Sequence, residues 1–247
     1  MSVEKLVAAL DACAKRGVTA DLWLRDDDAV EPTANLDRLL CLSEDFSVPM
    51  TLAVIPVATS EKLSTYLDGA PLATVAVHGW SHTNYATKEE KKQELGRHRE
   101  TAVVVTELQS GLRKLRDLHG ERFTPMLVPP WNRIDAGVVS ELPQIGYRAL
   151  SVFGPEKATE PQSLNTHVDV MDWHGTRGGR DHDTLFAETA TRITTTMEDG
   201  GTTGILTHHL VHDENVWRFL TVLLEVTTDH PACRWRSSAD LIETPSP

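Results

Sequence analysis

The apolar run Ala73-Thr74-Val75-Ala76-Val77 leads directly into His78-Gly79-Trp80-Ser81-His82, and a second run, Leu22-Trp23-Leu24, is followed by Asp26-Asp27-Asp28. Short apolar runs of this kind read as buried strands, and in a parallel sheet their C-terminal ends lie along one edge. Two imidazoles four residues apart can converge on one ion, and a carboxylate from a neighbouring strand can join them. A fold that uses these residues together has to bring both strand ends to one edge of a sheet.

The rest of the chain repeats the rhythm. Val3, Leu6, Val7, Leu10, Cys13 and Ala14 recur at helical spacing up to Gly17, which predicts an opening helix packed under the sheet. A first strand follows over residues 21–25 and ends in the aspartates. Next come a helix led by Pro32-Thr33 and carrying Leu36, Leu39 and Leu40, and a second strand over 48–57, broken by Pro56. Further strands are expected at 73–77, 126–128, 147–152, 168–171, 204–206 and 233–235. The longest helix starts at Thr87, where Thr87-Lys88-Glu89-Glu90 forms a capping box, and runs to about Leu118 with a candidate break near Gly96. Phe186, Ala190, Ile193 and Met197 make another helical stripe that stops at Gly200-Gly201, and Val216, Leu220, Leu223 and Leu224 make the last. Seven or eight short strands with helices between them, and no linker, predict one domain over residues 1–247 and a barrel of the (β/α) type. Such a barrel places its active site at the C-terminal ends of the strands.

Composition narrows the partners. With 24 basic and 36 acidic side chains the formal charge is −12, a field that repels phosphate backbones and anionic membrane surfaces, so nucleic acid is not expected. No apolar run approaches the roughly 20 residues that span a bilayer. The first residues lack a basic segment followed by an apolar core, so a cytoplasmic location is expected. Cys13, Cys41 and Cys233 are far apart with no C-x-x-C pair, which argues against a disulfide framework or a thiolate cage and reads each as a small buried hydrophobe.

An isolated pair of histidines is more often a hydrogen-bonded pair near a loop than a metal site, and an acidic triplet is more often a solvated turn. Together they read differently. Three consecutive carboxylates repel one another unless a cation or donors hold them. Beside two imidazoles, one carboxylate can complete a three-ligand site while its neighbour acts as a general base.

These residues resemble the polysaccharide deacetylases of the NodB-homology type, a carbohydrate esterase family. Those enzymes carry a Thr-Phe-Asp-Asp-Gly-Pro segment, whose first aspartate is the base and second a metal ligand, and a His-Ser/Thr-x-x-His segment with two more ligands. The resemblance implies Asp27 as base and Asp28, His78 and His82 as ligands, although a shift of one residue, to Asp26 and Asp27, fits the sequence as well. Gly79 stands where the family has its hydroxyl residue. Val128-Pro129-Pro130-Trp131-Asn132 is similar to the family's Arg-Pro-Pro-Tyr/Trp-Gly. It implies that Pro130 lines the substrate side and that the Trp131 N–H supports the oxyanion. Val128 replaces the arginine that orients the base, with Arg133 or Arg25 as possible substitutes. Asp169-Val170-Met171-Asp172-Trp173 resembles the Asp-Trp pattern of the acyl pocket, so Asp172 would orient an arginine or histidine and Trp173 would wall the pocket. Leu206-Thr207-His208 resembles the Leu-x-His segment whose histidine protonates the leaving amine. His209 and His212 are alternatives for that acid, or ligands of a second metal.

The five segments span residues 25–212 in the family's order. They imply a single-domain α/β fold, a distorted (β/α)7-8 barrel, and a hydrolase that removes an acetyl group from an N-acetylated sugar or small amide. It would use one divalent ion, with zinc first and cobalt, nickel, manganese or iron as alternatives. The expected partner is a small soluble molecule or oligosaccharide. A non-catalytic carbohydrate-binding relative, which the departures at Gly79 and Val128 favour, and a metal-dependent amidase or deaminase on a non-sugar substrate are the competing readings.

Overall fold

In the computed structural model, which describes residues 2–243, nine strands form one sheet in which every pairing is parallel. The chain ends of the expected domain, residue 1 and residues 244–247, lie outside the described residues. The strands are β1 (Ala20–Ala29), β2 (Met50–Val54), β3 (Ala73–His78), β4 (Phe123–Val128), β5 (Ala149–Leu150), β6 (Gln162–Ser163), β7 (Val168–Asp169), β8 (Thr203–Thr207) and β9 (Cys233–Trp235). Their order is β6-β5-β4-β3-β2-β1-β8-β7, with β9 paired to the start of β1. The helices are α1 (Ser2–Arg16), α2 (Ala34–Asp45), α3 (Glu61–Leu67), α4 (Thr101–His119), α5 (Ala136–Val139), α6 (His182–Asp199), α7 (Glu214–Thr228) and α8 (Ser238–Glu243). Among the described residues no helix is long and apolar enough to cross a membrane.

Helix ends follow local chemistry. Thr33, Asp181 and Asp213 cap α2, α6 and α7 by accepting backbone N–H groups of Leu36, Thr184 and Val216. α4 and α6 stop at Gly120 and Gly200, both at positive φ. α1 lies along α6, with Leu6, Leu10 and Cys13 buried.

Strand alternation divides the side chains into two cores. Leu22, Leu24, Leu52, Val54, Val75, Val77 and Leu127 face the helices, whereas Trp23, Ala53, Ala76, Met126, Val128 and Ala149 form a separate interior cluster with Leu241 and Ile242 of α8. By the same alternation Arg25 and His78 continue the interior rows.

One extended stretch closes the sheet. Leu164 and Thr166 donate to Leu150 O and Val152 O on the β5 side (both 3.0 Å), and then His167 and Val170 donate to Gly204 O and Leu206 O of β8 (2.7 and 3.1 Å). A distorted barrel results, as expected. Trp23 Nε1 donates to Asn165 O across the interior (3.2 Å). Gly204 makes the crossing possible, because a Cβ there would lie 2.5 Å from Asn165 O and from Trp23 Nε1.

Five local expectations need correction. β1 does not end before the aspartates but continues through them to Ala29. β2 ends at Val54 and β5 spans only two residues, because the chain leaves the sheet for the rim. The helix expected from Thr87 begins only at Thr101. Thr87 Oγ1 does donate to Glu90 Oε2 (3.0 Å), but Glu94 and Leu95 are drawn inward, and Leu95 bridges to Ile134. Cys41 is exposed and Cys233 half-buried, so only Cys13 is a fully buried hydrophobe. β6 has no apolar run to announce it.

Gly204→Ala should destabilise the protein by about 1–3 kcal/mol, since the new methyl meets backbone on the crossing strand. Urea unfolding at neutral pH measures it, and an unchanged midpoint would contradict the closure described.

Candidate metal centre

The site lies where β1, β3, β4 and β8 end. β1 carries its three carboxylates in the last stretch of its pairing with β2, between Asp26 opposite Leu52 and Ala29 opposite Val54, and each meets a different partner.

Asp26 turns toward β8. Its Oδ2 accepts Thr207 Oγ1 (2.7 Å) and the His209 N–H (2.8 Å), and its Oδ1 pairs with His209 Nδ1, both side chains being fully buried. Burial opposes ionisation of Asp26, but the His209 charge and hydrogen bond outweigh it and lower its pKa. Burial of His209 is likewise outweighed by Asp26, so its pKa is raised.

Asp27 faces the interior, where Arg25 pairs with it: Nη2 donates to Oδ2 (3.1 Å) and Nε lies 2.9 Å from Oδ1. The guanidinium is itself fully buried and is fixed by Ser151 Oγ (2.7 Å from Nη1) and Asn132 Oδ1 (3.3 Å from Nη2).

Alternation would send Asp28 the way of Asp26. Three residues from Asp26 to Ala29 span only two steps on β2, however, and this bulge, with Asp28 at φ 72°, turns the carboxylate to β3. Its Oδ1 lies 3.1 Å from His78 Nε2 and 3.3 Å from His82 Nε2. Asp28, His78 and His82 each offer a ligand atom within 4.8 Å of the others; among the described residues no second such group occurs.

The donor set fits a divalent cation. His78 Nδ1 faces Val128 O at 3.0 Å, so that nitrogen carries the proton and Nε2 presents its lone pair to the carboxylate. Two electron-rich atoms at that separation call for a cation between them. A proton on His78 Nε2 answers the same demand, and with the imidazole so charged the Asp28 carboxyl is held well below the usual range: burial opposes this, and the His78 hydrogen bond and the His78, His82 and His208 charges prevail. His78 is raised, its burial outweighed by the Asp28 hydrogen bond and the Asp27 and Asp28 charges. His82 is lowered, by burial first and then by His78. Like Asp28, His82 has a positive φ (56°), so two of the three ligand positions use sparsely populated backbone.

Across the site, His208 Nε2 lies 3.9 Å from Asp27 Oδ2, and its ring meets the edge of Trp173 at 4.7 Å. Trp173 Nε1 donates to Asp169 Oδ2 (2.8 Å), and burial raises the Asp169 pKa against the pull of His208. Trp131, at φ 55°, lays its ring 4.4 Å from His82, and Pro130 is buried against Gly79.

No sequence-family model and no curated protein sequence matches the chain. Solved structures do. A Mycobacterium smegmatis protein assigned to the polysaccharide deacetylases superposes with a TM-score of 0.71 at 14% identity, covering 92% of this chain and 90% of that one. The fold is that of the polysaccharide deacetylases. The Bacillus cereus peptidoglycan N-acetylglucosamine deacetylase Bc1960 gives 0.58 at 15% identity (92% and 90% covered). A family 4 acetyl xylan esterase from Clostridium thermocellum, in complex with a cobalt ion, gives 0.54 at 12% (90% and 89%).

Set on the deacetylase fold, the sequence motifs come together with three changes. Arg25, not Arg133, meets Asp27; Arg133 donates instead to Lys92 O (2.9 Å). Val128, in the family arginine's place, joins the apolar interior. Asp172 is not turned to an arginine or histidine: its carboxylate accepts the N–H groups of Gly175 (3.0 Å) and Thr176 (2.8 Å) in a surface turn. Asp169, at the end of β7, is the carboxylate that reaches Trp173 beside His208, and its place at a strand end was the available signal. Of the three clustered histidines, His208 alone approaches Asp27. His209 belongs to Asp26, and His212 Nε2 accepts the His208 N–H (3.2 Å) with its ring on Trp217. Glu94, described below, left no mark in the sequence.

Arg25→Met strands a buried carboxylate and should lower stability by about 3–5 kcal/mol in urea unfolding; a loss within error would mean that Asp27 has another partner. Burial pushes His212 down from 6.5 to about 4. The unfolded chain therefore binds more protons between those values, and stability falls as pH drops through that window, by up to about 3 kcal/mol from this group. His212→Gln should shrink the stability difference between pH 6.5 and pH 4.5. An unchanged difference would assign the acid loss elsewhere.

Proposed function

We propose that the chain, residues 1–247, acts as one metal-dependent hydrolase domain that removes an acetyl group from an amide nitrogen, on an N-acetylated sugar or related small amide. The observation that carries this reading is the convergence of Asp28, His78 and His82 beside a carboxylate, Asp27, held by a buried arginine. A divalent ion on those three residues, zinc first among the candidates, would supply Lewis acidity to the acyl carbonyl and to water.

The remaining work falls to side chains of this chain. Asp27 accepts the proton of the attacking water, and the Arg25 fork fixes its direction. The Trp131 N–H, on a turn of positive φ, supports the oxygen on which charge develops. His208 delivers a proton to the departing amine from the opposite side, steadied by the Trp173 edge and, through it, by Asp169. Pro130 and Trp173 line the acyl side of the substrate. Deacetylases and an acetyl xylan esterase with the same fold support an acetylated sugar as substrate. The departures that favour a non-catalytic relative weigh less, because another residue answers each: Arg25 stands in for the arginine missing at Val128, and Glu94 fills the place of the hydroxyl missing at Gly79.

His82→Ala should lose zinc binding and amine release together. Asp27→Asn should keep the metal and slow turnover by about a hundredfold or more. Zinc titration and amine release from short N-acetylated sugars measure both, and full activity in either variant would refute the assignment.

A further inference from the structure

Glu94 is 1% exposed, and its carboxylate is spent on one loop. Oε1 accepts the Ser81 N–H (2.7 Å) and Ser81 Oγ (2.9 Å), and Oε2 accepts the N–H groups of Trp80 and His82 (both 3.3 Å). Successive backbone N–H groups turned to one point make an anion nest, and here the nest lies on the segment that joins His78 to His82. The carboxylate also fills the space of a missing side chain: a Cβ on Gly79, itself at φ 57°, would lie 2.2 Å from Glu94 Oε2. Gly79 and Glu94 are therefore a matched pair, and neither accommodates a larger neighbour. A neutral hydroxyl could bond the same N–H groups. A buried carboxylate is the costlier choice, and what it adds is negative charge directly behind a metal-ligand loop.

We propose that Glu94 is a positioning residue for the metal centre: it clamps residues 79–82 so that His82 faces Asp28, and it adds a second negative charge beneath a site whose own ligands carry one. The inference rests on the metal reading given under Proposed function and assigns a role to a residue outside the three ligands. Loss of an outer partner of this kind typically costs 10–100-fold in metal affinity.

The test uses the whole chain with zinc(II) and cobalt(II) as probes. Glu94→Gln keeps the shape but turns an NH2 toward N–H donors. It should weaken both ions by about 10–100-fold and shift the cobalt(II) absorption bands, which report ligand geometry in the loaded protein and would not move if Glu94 served stability alone. Glu94→Asp, which keeps the charge but is too short to reach all four donors, should bind between parent and Glu94→Gln, and it carries the test if Glu94→Gln does not fold. Glu90→Gln, in the exposed part of the same segment, should match the parent. Affinities within about twofold of the parent with unshifted cobalt bands in Glu94→Gln would overturn the inference. A parent that binds neither ion would overturn the hydrolase reading as well, whereas a tight-binding parent with an indifferent Glu94→Gln overturns this inference alone.

Discussion

Three adjacent carboxylates at the end of a central strand repel one another, and the architecture around β1 separates them. Asp26 is given to His209 and Thr207 of the β8 end, Asp27 to Arg25 on its own strand, and Asp28 to the two histidines of the β3 end. Alternation alone offers two directions, so a third needs a break in the pleat, which the bulge and the left-handed Asp28 provide. The strain there is held by neighbours that leave no other arrangement: β8 on one flank, β2 on the other, and a packed interior beneath.

That interior is what makes the buried charges tolerable. Below Arg25 the barrel is filled by Trp23, Met126 and Val128, while Ser151 and Asn132 each accept a hydrogen bond from the guanidinium, from the β5 and β4 sides. A low-dielectric floor strengthens the Arg25–Asp27 attraction and raises the penalty for losing either partner. The extended stretch from β6 to β7 completes the wall, and its passage over Gly204 ties the floor to the strand that carries His208.

Much of this was readable in the sequence because it is local. Apolar runs such as 73–77 gave strands, side-chain caps such as Thr33 gave helix starts, and glycines such as Gly120 gave helix ends. The convergence of the aspartate cluster with His78 and His82 was legible because the strands of one parallel sheet bring their ends to one edge, but which aspartate faces the histidines depends on the bulge and was not. What escaped depends on contacts between distant residues. A capping box at Thr87 carries no information that Glu94, seven residues on, is needed beneath the histidine loop, and the helix waits until Thr101. Asp172 beside Trp173 looked like the carboxylate of the acyl pocket, but the indole folds back to Asp169 four residues earlier. The role of Arg25 had a local signal, since alternation puts residues 25 and 27 on one face of a strand; Arg133, after the Pro-Pro-Trp segment, competed with it for the same role.

The pairing within β1 also changes what the loop beyond β4 is asked to do. The Asp27 carboxylate and the Arg25 guanidinium ride on the same strand, two residues apart, so their pairing asks for no cation from another segment. The turn after β4 furnishes an acceptor instead of a charge: Asn132, next to Trp131, takes a hydrogen bond from Nη2 and so ties the Pro129-Pro130-Trp131 segment to the orientation of the guanidinium.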